Sequence, residues 1–145
     1  MVTNVGFTLS KVKQLGDRIF EKILAAENVD AFNGAQGRIL YVLWQENGIP
    51  IRELSEKSGL AITSLTTMLE RMENAGLIRR QQSGEDKRKT LLYLTEKARG
   101  LQKSYDAVSG EMTAIYYQGF SPEEIAQFES CLDRIRENLE KRSGK

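Results

Sequence analysis

Between Ile51 and Leu94 the chain reads IRELSEKSGLAITSLTTMLERMENAGLIRRQQSGEDKRKTLLYL, and the expected fold follows from this stretch. A short helix is expected around Arg52 to Lys57, broken at Ser58-Gly59. A second begins almost at once, because Ile62, Leu65, Leu69 and Met72 recur on one helical face with Met68 at its edge, and Gly76 stops it as a C-terminal glycine does. Its opposite face carries Thr63, Thr67 and Glu70. Beyond Gly76 the pattern changes to strand-like runs, Leu77 to Gln82 and Lys89 to Leu94, joined by the polar, glycine-containing stretch Ser83 to Arg88. Those two runs predict a hairpin with a charged tip.

Upstream, Val12, Leu15, Ile19 and Ile23 follow Leu9 at three- and four-residue steps, with Phe20 and Leu24 beside them, as in an amphipathic helix. Asn33 and Gln36 have capping-box spacing, and Ile39, Leu40 and Leu43 continue a second helix until Asn47-Gly48; Pro50-Ile51 then allows a short extended step. Downstream, Thr95 can cap a helix in which Ala98, Leu101, Tyr105, Val108, Met112 and Ile115 repeat at helix-seam spacing, weakened by Gly100 and Gly110 at roughly 1 kcal/mol each. Ser121-Pro122-Glu123-Glu124 opens a last helix carrying Ile125, Phe128, Leu132, Ile135 and Leu139. The expected fold class is mainly α with a small β-hairpin wing: a winged helix-turn-helix lobe at about 34–95, flanked by dimerisation helices at about 4–28 and 96–143, in a single domain spanning 1–145.

Composition narrows the chemistry. No apolar run of the 145 residues approaches the roughly 18 needed to span a membrane, and Met1 to Ser10 lack a secretory pattern, so a cytoplasmic location is expected. The chain has no histidine and one cysteine, Cys131, which removes the commonest metal ligand, the commonest general base and any internal disulfide. Paired carboxylates, a nucleophile-base arrangement and a Gly-rich phosphate loop are absent as well, so neither an enzyme nor a metal or cofactor site is expected. Cys131 lies near the apolar stripe of the last helix, and a small buried side chain is its expected role. Net charge is only +1, but five basic residues against two acidic ones fall between Ile78 and Thr90.

Two short helices joined by a tight turn and followed by a basic-tipped hairpin let one helix enter a DNA major groove while the hairpin meets the flanking backbone. Thr63, Ser64, Thr66 and Thr67 are candidate contacts from the second helix, since hydroxyls bond base edges or phosphates there, and Arg71 on its flank suits a phosphate. Arg79, Arg80, Lys87 and Lys89 supply positive charge. Arg88 at the hairpin tip is the candidate for a minor groove, with Asp86 placed to orient it.

The segment from Ile51 to Leu94 resembles the MarR winged helix, notably in Leu69-Glu70-Arg71-Met72-Glu73-Asn74-Ala75-Gly76-Leu77-Ile78-Arg79-Arg80, in Asp86-Lys87-Arg88 and in the closing Leu94-Thr95-Glu96-Lys97. The helix order outside it resembles the family layout too. The resemblance implies a homodimer whose first, fifth and sixth helices interlock, presenting two winged helices to a pseudo-palindromic operator, commonly as a repressor released by a small aromatic or phenolic ligand. Phe20, Tyr41, Trp44 and Tyr105 could line such a ligand cleft or form ordinary core. Thr67 departs from the family's frequent arginine and Ala61 from its frequent capping serine. The family's peroxide sensors carry a thiol near the first helix and its zinc-responsive members need histidines; this chain has neither. The alternative is a winged helix that binds a protein or small molecule without DNA.

Overall fold

The computed structural model describes residues 1–27, 29 and 31–143. Its elements, in order, are α1 (Val5–Ala26), α2 (Gly34–Gln45), β1 (Ile49–Pro50), α3 (Ile51–Ser58), α4 (Ile62–Asn74), β2 (Ile78–Gln82), β3 (Thr90–Leu94), α5 (Glu96–Arg99), α6 (Gln102–Tyr116) and α7 (Pro122–Arg142). The chain divides into two compact units, Met1–Gly110 and Glu111–Lys145. Among the described residues no helix is long and apolar enough to cross a membrane.

Within the first unit, α2, α3, α4 and the sheet close around one core. Ile39, Leu40 and Leu43 of α2, Leu54 of α3, and Leu65, Leu69 and Met72 of α4 have no exposed surface, and Leu24 of α1 joins them. Burying each such side chain contributes about 1.5–3 kcal/mol, which makes the i, i+3, i+4 stripe of α4 the main reason for its orientation. The capping residues behave as their chemistry requires. Asn33 Oδ1 accepts from the Gln36 backbone N–H at 2.8 Å, and Gln36 Oε1 accepts from the Asn33 backbone N–H at 3.2 Å. Glu21 of α1 accepts from the Gly34 N–H at 2.6 Å, tying α1 to the start of α2. Helix α1 begins at Val5, beside the expected start near residue 4 and ahead of the apolar stripe that opens at Leu9, and its expected limit near residue 28 lies outside the described residues.

The expected two-stranded hairpin is a three-stranded antiparallel sheet in the order β1-β3-β2. Ile49 pairs with Leu92 and Pro50 with Leu91, so the extended step before α3 is an edge strand. A two-residue strand ending in proline shows no alternation of its own; its pairing depends on Leu92 from elsewhere in the chain. Gly48 precedes it at φ 77°, where a Cβ would meet Tyr93 Cε1 at 2.7 Å. Gly48→Ala is therefore expected to lower stability by about 1–2 kcal/mol, read as a lower urea midpoint at an unchanged m-value. An unchanged midpoint would show that the turn relaxes without cost.

The helix expected from Thr95 onward is two helices. Thr95 does cap α5, accepting from the Ala98 N–H at 3.2 Å. The helix then stops at Gly100, and the Ala98 carbonyl takes bonds from Leu101 N at 3.2 Å and from the Trp44 indole N–H at 3.0 Å. Glycine's low helix propensity permits the break, and the indole N–H gives the buried Ala98 carbonyl a further partner there.

In the second unit, Ser121 and Glu124 form the expected capping box with Pro122 in the first turn of α7. The Tyr117 hydroxyl donates to Glu129 at 2.6 Å, and its ring packs edge-on against Phe120 and Phe128. No residue of α7 is buried: Phe128, Leu132, Ile135 and Leu139 are exposed in the single chain. Cys131 is exposed too, which corrects its expected burial. A place beside an apolar stripe buries a side chain only where another surface covers that stripe.

Candidate nucleic-acid interface

Thr63, Ser64, Thr66, Thr67 and Glu70 all lie on the exposed side of α4, opposite the stripe that Leu65, Leu69 and Met72 bury. The Thr66 hydroxyl donates back to the Ile62 carbonyl at 2.9 Å, so its proton is committed within the helix. Arg71 is exposed on the flank. Ala61, the N-cap, offers no side-chain acceptor, and no side-chain cap therefore covers the first-turn N–H groups of α4.

The wing tip is a sequence of side-chain-capped turns. Ser83 Oγ accepts from the N–H groups of Glu85 at 3.2 Å and Asp86 at 3.3 Å, while Gln82 Nε2 donates to the Lys87 carbonyl at 2.8 Å. Asp86 then holds Arg88 three ways: its Oδ1 accepts from the backbone N–H at 3.0 Å and from Nε at 3.1 Å, and its Oδ2 from Nη2 at 3.3 Å. The Arg88 side chain nevertheless stays 90% exposed. An ion pair this open contributes little to stability; its effect is to narrow the orientations of the guanidinium. The Arg88 side chain, then its backbone N–H, holds the Asp86 carboxyl below the usual carboxylate value. By the sign of that shift, the pair is intact above the ordinary aspartate range and is lost only as pH falls through the lowered value.

Strand alternation separates the two arginines that adjoin in sequence. Ile78 faces the core, so Arg80, two residues on, lies on that same side, where its Nε meets Glu73 of α4 at 3.3 Å. Arg79 lies on the other face, opposite Tyr93, with its guanidinium carbon 4.7 Å from that ring's centroid and Nη1 2.6 Å from Gln81 Oε1. Arg80, Arg88 and Lys89 come together with Arg52, Pro50, Ile51 and Leu69 around a cleft of about 520 Å³. Arg52 is a contributor the sequence reading missed. It occupies the second position of α3, where the helix dipole repels a cation. A basic residue at that unfavourable end was the available signal, since a bound anion removes the penalty.

Phe20, Tyr41 and Trp44 converge on Tyr105, with ring centroids at 6.0, 6.1 and 5.2 Å, and Phe32 joins them at 6.0 Å. Burial raises the Tyr105 phenol above its usual value, and Tyr41 adds to the shift. Phe20 also lines a second cleft of about 520 Å³ with Lys13, Asp17, Glu21 and Arg38. Among the described residues no group of three or more His, Cys, Asp or Glu could hold a metal ion.

An exposed helix after a tight turn, with a basic wing beside it, defines the winged helix-turn-helix class. The profile of the MarR family matches residues 32–90. The chain is 33% identical over 104 residues to the organic hydroperoxide resistance transcriptional regulator of Bacillus subtilis, covering 72% of this chain and 69% of that protein. It is 32% identical over 109 residues to the HTH-type transcriptional regulator TtmR of Methylorubrum extorquens, covering 73% of this chain but only 53%, about half, of that protein. Among solved structures, a MarR transcriptional regulator from Methanosarcina mazei Go1 superimposes with a TM-score of 0.84 at 21% identity, over 94% of this chain and 96% of its own. A mutant MarR from E. coli complexed with operator DNA gives 0.82 at 23% identity, over 90% and 92%. The chain belongs to the MarR family.

Proposed function

We propose that this chain is a DNA-binding transcription regulator that acts as a homodimer on a pseudo-palindromic operator, as a repressor released by a small ligand. The observation that carries the reading is the cleft that Arg52, Arg80, Arg88 and Lys89 line, with Leu69 from the buried face of α4 on its inner wall. Four cations beside a helix that fits a major groove suit a duplex, whose backbone carries one charge per roughly 1.7 Å of axis. Thr63, Ser64 and Thr67 contact bases or phosphates, and Thr66, whose proton stays with Ile62, accepts from a base amino group; Arg71, Arg80, Lys87 and Lys89 meet phosphates; Arg88, oriented by Asp86, enters the minor groove. Arg79, stacked on Tyr93, contacts DNA only by leaving that ring. The family membership and the solved MarR complex with operator DNA support the same reading.

The lobe at about 34–95 reads DNA, and the helices at about 4–28 and 96–143 dimerise through stripes such as that of α7. The protein is cytoplasmic and is not an enzyme. Phe20, Tyr41, Trp44 and Tyr105 line or back the site of an aromatic or phenolic ligand, which Phe20 reaches through the cleft beside Lys13 and Arg38. A peroxide-sensing role is not part of this reading, because the one thiol, Cys131, lies on α7 and not on α1.

Titrating DNA from upstream of the protein's own gene across a salt series tests the reading. A saturable complex of two chains per site is expected, with log affinity falling linearly in log salt by about 0.9 per neutralised phosphate. No specific complex at low salt would instead favour a protein-binding winged helix. Thr67→Ala should change which bases are preferred, whereas an equal loss on every operator variant would remove Thr67 from base reading.

A further inference from the structure

The C-terminal end of α4 is closed by a full Schellman motif: Leu77 N bonds the Met72 carbonyl at 2.9 Å, Gly76 N bonds that of Glu73 at 3.0 Å, and Gly76 has φ 77°. The next carbonyls point away from the helix, and residues at the start of α5 take them. Lys97 Nζ donates to Ala75 O at 3.0 Å, and Thr95 Oγ1 donates to Gly76 O at 2.6 Å. Thr95 N and Oγ1 both reach Leu77 O, at 3.1 and 3.2 Å. One turn further along α5, the Ala98 carbonyl accepts the Trp44 indole N–H at 3.0 Å, and the Trp44 ring packs on Tyr105 of α6 at 5.2 Å. An unbroken series of contacts thus runs from α6 through Trp44 and α5 to the end of α4. Lys97 is exposed, and its ammonium meets the negative end of the α4 dipole.

We propose that Trp44 and Lys97 are positioning residues that, through α5, hold α4 at a set angle and thereby set the half-site spacing the dimer accepts. The inference rests on the DNA-binding dimer proposed above. Neither residue touches DNA in it. Inserting or deleting one base pair between half-sites moves one of them by about 3.4 Å and rotates it by about 36°. A firmly held α4 pays the full cost of that mismatch; one released at its C-terminal end can tilt to reduce it.

The test uses the full chain, the operator found in the salt series, and versions of it lengthened or shortened by one base pair. The readout is the ratio of affinities for native and altered spacing, beside the thermal midpoint of each variant. Lys97→Met removes the donor to Ala75, Lys97→Arg keeps one, and Trp44→Phe keeps a ring but removes the indole N–H. The Met and Phe variants are expected to lower the ratio roughly 3- to 10-fold, the scale of one hydrogen bond, while the Arg variant keeps the wild-type ratio. The double variant Trp44→Phe/Lys97→Met is expected to do no more than the stronger single one, since both act through α5. Ratios unchanged in the Met and Phe variants, or equal weakening at every spacing in step with lost thermal stability, would overturn the inference while leaving DNA binding intact. A wild-type chain that forms no operator complex would overturn the underlying reading and this inference with it.

Discussion

Replacing Arg88 with alanine is expected to weaken operator binding by about 1–3 kcal/mol, roughly 5- to 150-fold, while thermal stability barely changes. The two halves of this result come from one geometry. Arg88 is 90% exposed, so its removal uncovers no core, and its pairing with Asp86 is too open to stabilise the fold appreciably. The same pairing restricts the guanidinium before DNA arrives, so less rotamer freedom is lost on binding. Where Arg88 enters a minor groove, the loss should be concentrated on operators with narrow A·T-rich flanks. If it meets only phosphate, the loss should be equal on all sequences and the salt slope should fall by about 1. An unchanged affinity would remove Arg88 from the interface. Asp86→Asn is expected to fall between wild type and Arg88→Ala, because the amide oxygen still accepts from the arginine but carries no charge.

Leu69→Ala should have the larger effect on the fold, about 2–5 kcal/mol of destabilisation. Leu69 has no exposed surface, belongs to the stripe that orients α4, and lines the inner wall of the basic cleft. Its truncation leaves a cavity between α4 and the sheet. For a domain of this size, that loss lowers the thermal midpoint by roughly 5–20 °C, to be measured at fixed chain concentration because dimerisation contributes to the midpoint. A shift under about 2 °C would mean that α4 collapses freely onto its neighbours, and that the stripe is not what orients it. Comparing the two variants separates the faces of the lobe: one change affects binding and spares stability, the other lowers stability first.

Much of this was legible in the sequence because it depends on residues close together along the chain. The period of Ile62, Leu65, Leu69 and Met72 marked α4 and its buried face, except that Ile62, in the first turn, stays exposed; Gly76, Asn33 with Gln36, and Ser121 with Glu124 marked helix ends through bonds spanning only a few residues. The wing tip belongs to the same class, since Asp86 and Arg88 meet across a single turn. MarR membership followed from that local pattern. What only tertiary structure decided involves partners distant in sequence. Pairing with Leu92 made Ile49 and Pro50 a strand, and the alternation of β2 sent Arg79 to Tyr93 while leaving Arg80 in the cleft with Arg52. The indole of Trp44 at Ala98, the ammonium of Lys97 at Ala75 and the convergence of four aromatic rings on Tyr105 have no periodic signature. Spacing along the chain determines which face of an element is apolar; which side chains then meet across elements depends on how the buried faces pack.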